Sequence, residues 1–133
     1  MDTEIRLHPL AGEYLFKYYG TLRRIFSQVL GQLEIDYLSI GLIDTSGQLF
    51  LFSSKPSVEQ NLIEKNLLLH DACFRSDFVY QNRACFWSDF DDSEYKKHIY
   101  QYKQLATGLK MGISIPSQFG DYRVVFSFGF KSQ

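Results

Sequence analysis

The sequence predicts an α+β domain, an antiparallel sheet with helices packed on both faces. Three observations carry this. One hairpin pattern lies in the first half of the chain and another closes it. Helical stripes stand before and between the hairpins. No repeat, linker or low-complexity tract divides the 133 residues, so one core serves the whole, burying about two-thirds of the unfolded surface.

His8-Pro9 reads as a helix entry, because Pro pre-sets φ for a first turn. Tyr14, Tyr18, Leu22, Ile25, Phe26, Val29 and Leu33 then recur at helical spacing, with Lys17, Arg23, Arg24 and Gln28 largely opposite. Gly31 is the expected C-terminal stop, and Gly20 weakens the middle. Residues 35–43 and 48–52 form a hairpin around the turn chemistry of Asp44-Thr45-Ser46-Gly47. Pro56 opens a short helix through Asn66 with Val58 and Leu62 inward. Asp71 starts a second, with Phe74 and Phe78 four apart. Asp92 or Ser93 caps a third, whose inward stripe is Tyr95, Ile99, Tyr102 and Ala106 and whose end is Gly108. Residues 110–116 and 122–130 are the closing strands, joined by Ser117-Gln118-Phe119-Gly120-Asp121.

The chain is organised around residues 67–90. Asp71 follows three leucines and His70, so a carboxylate enters apolar surroundings with no obvious cation beside it. Burying it is costly unless a donor meets it. Trp87, the single tryptophan, offers an apolar face and one N–H donor. Together they suit the orientation of a mostly apolar small molecule. The competing reading makes Asp71 a helix cap and Trp87 plain core.

Other chemistries find little support. A formal net charge of −1 gives no basic field for nucleic acid. Lys96, Lys97, Lys103 and Gln104 read as a solvated helix face. There is no nucleophile elbow, P-loop, GxGxxG or HExxH, and His8, His70 and His98 fall in separate elements. Asp89, Asp91, Asp92 and Glu94 lack EF-hand spacing. Cys73 and Cys85 lack metal-ligand spacing, which suits a reduced, cytoplasmic protein. No signal-peptide core or membrane-length apolar run is present. The expectation is therefore a protein that is not an enzyme and holds neither cofactor nor metal. The aromatic share of 17% fits a bulky core, a pocket or an interaction surface equally.

The layout is close to that of PAS and GAF sensor modules. Three segments in order also resemble the autoinducer-binding domain of LuxR-type quorum-sensing regulators: residues 71–90, with a Trp-Ser-Asp exit; residues 104–116, QLATGLKMGISIP; and residues 122–130, a strand carrying Ser127. The resemblance spans most of the chain. It implies a pocket between helices and sheet for an N-acyl homoserine lactone or another amphiphilic signal. Asp71 would accept the amide N–H, Trp87 would line the head-group end, and Ser127 and Cys73 would be small contact positions. Phe52, Val58, Leu62 and Phe74 are the expected walls. Two departures stand out. Ala72 replaces the family's Pro after the Asp, and Val58 and Leu62 fall where a Trp and a Tyr are expected, so the Trp's donor to a lactone carbonyl is missing.

The resemblance further implies a small amphiphilic signal as partner, a homodimer biased by binding, and contact with DNA only through a separate helix-turn-helix. With the chain stopping at Gln133, the favoured expectation is the sensor half of a longer regulator, with a receiver that acts alone as its rival. The alternative is a closed PAS/GAF-like interaction or dimerisation module without ligand, using Tyr14, Tyr18 and Tyr19.

Overall fold

Six strands form one sheet: β1 (Arg6–Leu7), β2 (Tyr37–Ile43), β3 (Gln48–Ser53), β4 (Cys85–Phe86), β5 (Met111–Phe119) and β6 (Tyr122–Phe130), in the order β1-β3-β2-β6-β5-β4. The computed structural model describes residues 4–90 and 94–131. All pairings are antiparallel except β1 with β3. The helices are α1 (Ala11–Lys17), α2 (Tyr19–Leu33), α3 (Pro56–Glu64), α4 (Ser76–Val79) and α5 (Lys96–Tyr100), the last continuing as a π turn, Gln101–Leu105.

Strand alternation divides the sheet into two faces. Leu49 and Leu51 of β3, Ile43 of β2 and Val125 of β6 join one core with Leu62 of α3, Leu68, Phe74, Val79 of α4 and Ile99 of α5. That inner face carries the site. On the other face Phe50 stacks with His8 and Tyr14, and Phe52 meets Tyr18 edge-on. From there α2 runs on with Phe26 buried. Helices thus lie on both faces, as expected for the α+β class.

At the centre of the inner face, Ser53, Ser39, Ser127 and Ser114 stand in cross-strand register on β3, β2, β6 and β5. All four are buried. One row along, Tyr37 is opposite Gly129 and Gly129 opposite Gly112. A Cβ on Gly112 would overlap the Trp87 indole, so this glycine is needed for close approach. The sheet floor is therefore small and polar where large groups rest on it.

Several local expectations change. The first helix is two segments meeting at Tyr18, and its end is Glu34 in the left-handed region, not Gly31. Just before this helix the His8 ring accepts from the Leu10 N–H at 3.0 Å, and the helix start has no side-chain cap. The helix expected from Asp71 is instead one 3₁₀ turn, Ala72–Phe74, and then the short α4, while a further 3₁₀ turn, Leu68–His70, precedes Asp71. The last hairpin stays paired through Phe119, leaving Gly120-Asp121 as the turn. The caps expected at Asp92 or Ser93, and Asp91, lie outside the described residues. β1 and β4, two residues each, are too short to show a period. Among the described residues no helix is long and apolar enough to cross a membrane.

Replacing Gly112 by Ala will push the indole off the sheet, at a cost of about 1–3 kcal/mol. Urea unfolding measures the loss. Because Trp87 is the only tryptophan, its emission reports the displacement, which an unchanged spectrum would contradict.

Candidate functional site

Asp71 ends the leucine run in extended conformation (φ −69°, ψ 127°), which turns its side chain inward. It is 5% exposed. One oxygen, Oδ1, accepts from the Cys73 N–H at 3.2 Å, so the capping reading holds, for a 3₁₀ turn. The other, Oδ2, accepts from the Lys103 ammonium at 2.6 Å. Asp71 therefore has a cation, thirty-two residues away in sequence.

Lys103 corrects the sequence reading most sharply, since it is buried rather than on a solvated face. Lys103 stands four residues after buried Ile99, one helical turn on, and so shares its inward face, and a π turn then follows. The Ala106 N–H bonds to the Gln101 carbonyl at 2.9 Å, five residues back, inserting an extra residue per turn. Ala106, expected inward, is exposed. Thr107 Oγ1 donates to the Lys103 carbonyl at 2.6 Å and closes the turn. Burial alone would push the Lys103 ammonium pKa down, but the charge of Asp71, with Glu59 behind it, outweighs burial and the net shift is upward. Lys103 Nζ also sits 4.1 Å from the Trp87 ring centroid and 3.9 Å from Cys73 Sγ.

Trp87 spends its N–H inside the protein. Nε1 donates to Ser114 Oγ at 3.0 Å, and Ser114 Oγ lies 2.7 Å from Ser127 Oγ. The ring packs with Tyr37, Val58 and Leu109. Trp87 thus offers a ligand its face rather than its donor. Cys73 is fully enclosed, and burial followed by the Asp71 charge raises its thiol pKa, leaving it inert.

Below the pair lies an inner chamber lined by Tyr37, Ser39, Glu59, Leu62, Phe74 and Ser127, among others, with only about 10 Å³ of free space. The expected hollow is filled by the protein's own side chains, Phe74 pressing on Gly41 and Lys103 reaching in above. The Tyr37 hydroxyl donates to Glu59 Oε1, while Glu59 Oε2 has no hydrogen-bond partner among the described residues. Burial pushes the Glu59 carboxyl up to about 7, despite contacts with Ser53, Tyr37 and Lys103 that favour its charge.

Outside the pair is a cleft of about 290 Å³, lined by His70, Trp87, Phe90, Ile99, Tyr100 and Gln104 with Asp71 and Lys103 at its base. The structure therefore gathers Asp71, Trp87, Ser127, Cys73, Phe74 and Leu62 around the ion pair, with Val58 behind the indole. It does not bring Phe52 there. As an alternate residue of β3, Phe52 points to the opposite face, so its assignment as a pocket wall is wrong. Sequence reasoning missed Lys103, Glu59, Tyr37 and Ser114. The charge of Asp71 was the available signal, since a buried carboxylate calls for a cation and Lys103 stands four residues after Ile99. Among the described residues no cluster of His, Cys, Asp and Glu side chains could hold a metal ion.

No family model and no curated protein matches the sequence. The fold, however, is that of LuxR-family autoinducer-binding domains. The chain superposes on Escherichia coli SdiA with a TM-score of 0.58 at 16% identity, covering 91% of this chain and 55% of SdiA. CepR2 of Burkholderia cenocepacia, described as an N-acylhomoserine lactone dependent LuxR family transcription factor, gives 0.63 at 14% identity, covering 80% of this chain and 64% of CepR2. The ligand-binding domain of Pseudomonas aeruginosa VqsR gives 0.59 at 15%, covering 91% of this chain and 78% of that one. The chain spans about half the length of SdiA.

Two outcomes test this geometry. Lys103→Met strands the Asp71 carboxylate and will destabilise the domain by about 3–5 kcal/mol, and adding Asp71→Asn will recover most of that; equal losses in both variants would contradict the pairing. Glu59 has a folded pKa above its ordinary 4.5. Its stabilising contribution is therefore complete below about pH 4.5 and is lost as pH rises to about 7, a fall of about 3 kcal/mol. Denaturant unfolding between pH 5 and 8 will show this slope in the parent and a flatter profile in Glu59→Gln.

Proposed function

We propose that this chain is the small-molecule-receiving domain of a LuxR-type transcriptional regulator. The observation that carries the reading is the outer cleft, where Trp87, Phe90, Ile99 and Tyr100 offer apolar surface and the Asp71–Lys103 pair supplies placed polar groups at the base. That is the composition of a ligand site: mostly apolar, with a few polar groups that fix orientation. The fold supports it, since SdiA of the same fold has been seen in complex with octanoyl-rac-glycerol. The signal is an amphiphile whose body lies on the aromatic wall and whose head reaches the pair.

A standard N-acyl homoserine lactone is a poorer fit than in the LuxR-type pattern. Val58 and Leu62 cannot donate to a lactone carbonyl, and the Trp87 N–H already serves Ser114. Ligand capture would bias the π turn and α5, which border the cleft, and through them a dimer or an attached DNA-binding domain. The closed-module alternative draws on the inner chamber, which has about 10 Å³ of free space.

A thermal-shift panel of acyl lactones, monoacylglycerols and other amphiphiles, with mass spectrometry of copurified material, tests the proposal. A binder will raise Tm by about 10 °C near hundredfold Kd. Tyr100→Ala, at a position 47% exposed, will weaken that shift without lowering the stability of the free domain. A panel without effect and a clean mass spectrum would leave the closed module as the reading.

A further inference from the structure

We propose that Asp71 and Trp87 form a head-group site for an organic ammonium, which the domain's own Lys103 occupies and an incoming amine displaces. The inference rests on the receiver reading above and names its ligand class. The Lys103 ammonium is held as a recognised cation is held, with a carboxylate oxygen at 2.6 Å, an indole face centred 4.1 Å away and a thiol sulfur at 3.9 Å. A primary amine presents the same group and takes the same contacts.

The charge balance of the surroundings selects the sign of the head group. Glu59 faces the same space, 2% exposed, with Oε2 lacking a hydrogen-bond partner among the described residues. Two carboxyl groups thus line the inner chamber with a single ammonium, while Lys96 and Lys110 line the outer cleft. An anionic head would meet both carboxyls at low dielectric, whereas a cation or a multiple donor finds acceptors at each. The Tyr37 hydroxyl and the serine row add further oxygen atoms to the floor.

The route is set by the pair itself. Asp71 and Lys103 line both the 290 Å³ cleft and the inner chamber, so the lysine stem is the partition between them. Moving Lys103 outward joins the two spaces, with room for an amine head inside and an apolar or aromatic body against Phe90, Ile99 and Tyr100. Lys103 stands in the middle of the π turn, between half-buried Tyr102 and Gln104. A Lys103 side chain leaving the base of the cleft would disturb the π turn that carries it, the segment that continues α5. Binding would thereby be read out as a change in α5, the element that borders the cleft.

The test titrates the intact domain with 2-phenylethylamine, its neutral analogue 2-phenylethanol and the anionic 3-phenylpropionate, following Tm and Trp87 emission. The amine is expected to raise Tm by about 10 °C near hundredfold Kd and to change Trp87 emission, the other two to do neither. In Lys103→Ala no lysine has to be displaced, so n-butylamine is expected to bind at least about tenfold more tightly than to the parent. The Asp71→Asn/Lys103→Met double variant is expected to ignore all amines. Equal effects of alcohol and amine, or an amine response retained in the double variant, would overturn the proposal. If Lys103→Ala fails to fold, the parent titration decides alone. Lactones or monoacylglycerols binding where amines do not would overturn this inference and leave the receiver reading intact. No response to any compound removes both.

Discussion

A carboxylate and an ammonium meet in the dry interior at 2.6 Å, and most of the site exists to make that tolerable. Each ion alone would lose several kcal/mol of hydration. Asp71 is held by its own turn, Lys103 by a π turn that Thr107 closes, and the indole of Trp87 covers the cation. The indole is positioned by Ser114 and by the space that Gly112 leaves. Sheet, 3₁₀ turn and C-terminal helix are joined through one pair of charges. Apolar residues of similar volume are often as stabilising as a buried ion pair, so stability alone does not account for this one.

The serine row explains how a sheet accepts such a load. Valine or isoleucine at Ser39, Ser114 and Ser127 would fill the inner face and leave no partner for the indole N–H. Four small polar residues in register give depth and hydrogen-bonding capacity together. Glu59 is the imperfect part of this arrangement. Its unpartnered oxygen makes the chamber sensitive to protons and richer in acceptors than in donors.

The fold was legible because its long elements carry clean periods: β6 (Tyr122–Phe130) came out at its expected ends, and both hairpins were evident from their turns. The importance of Asp71 and Trp87 was also legible, one a charge in an apolar run and the other a single large ring. The partner of Asp71 was not. Lys103 lies four residues after Ile99 on the inward face, but a lysine among Lys96, Lys97 and Gln104 reads by its charge as part of a solvated face. The serine row depends on the register of four strands, which a linear reading does not supply. Phe52 failed for a related reason, since hydrophobicity on both faces of β3 hides which face meets the site.

The most direct measurement is nitrogen-15 NMR of the lysine side-chain ammonium groups. Lys103 paired in a dry site will give one slowly exchanging Nζ signal that persists from pH 6 to 9 and vanishes in Lys103→Met. Surface lysines exchange with water too fast to show one. A spectrum without such a signal would place Lys103 in solvent and contradict the account of the site.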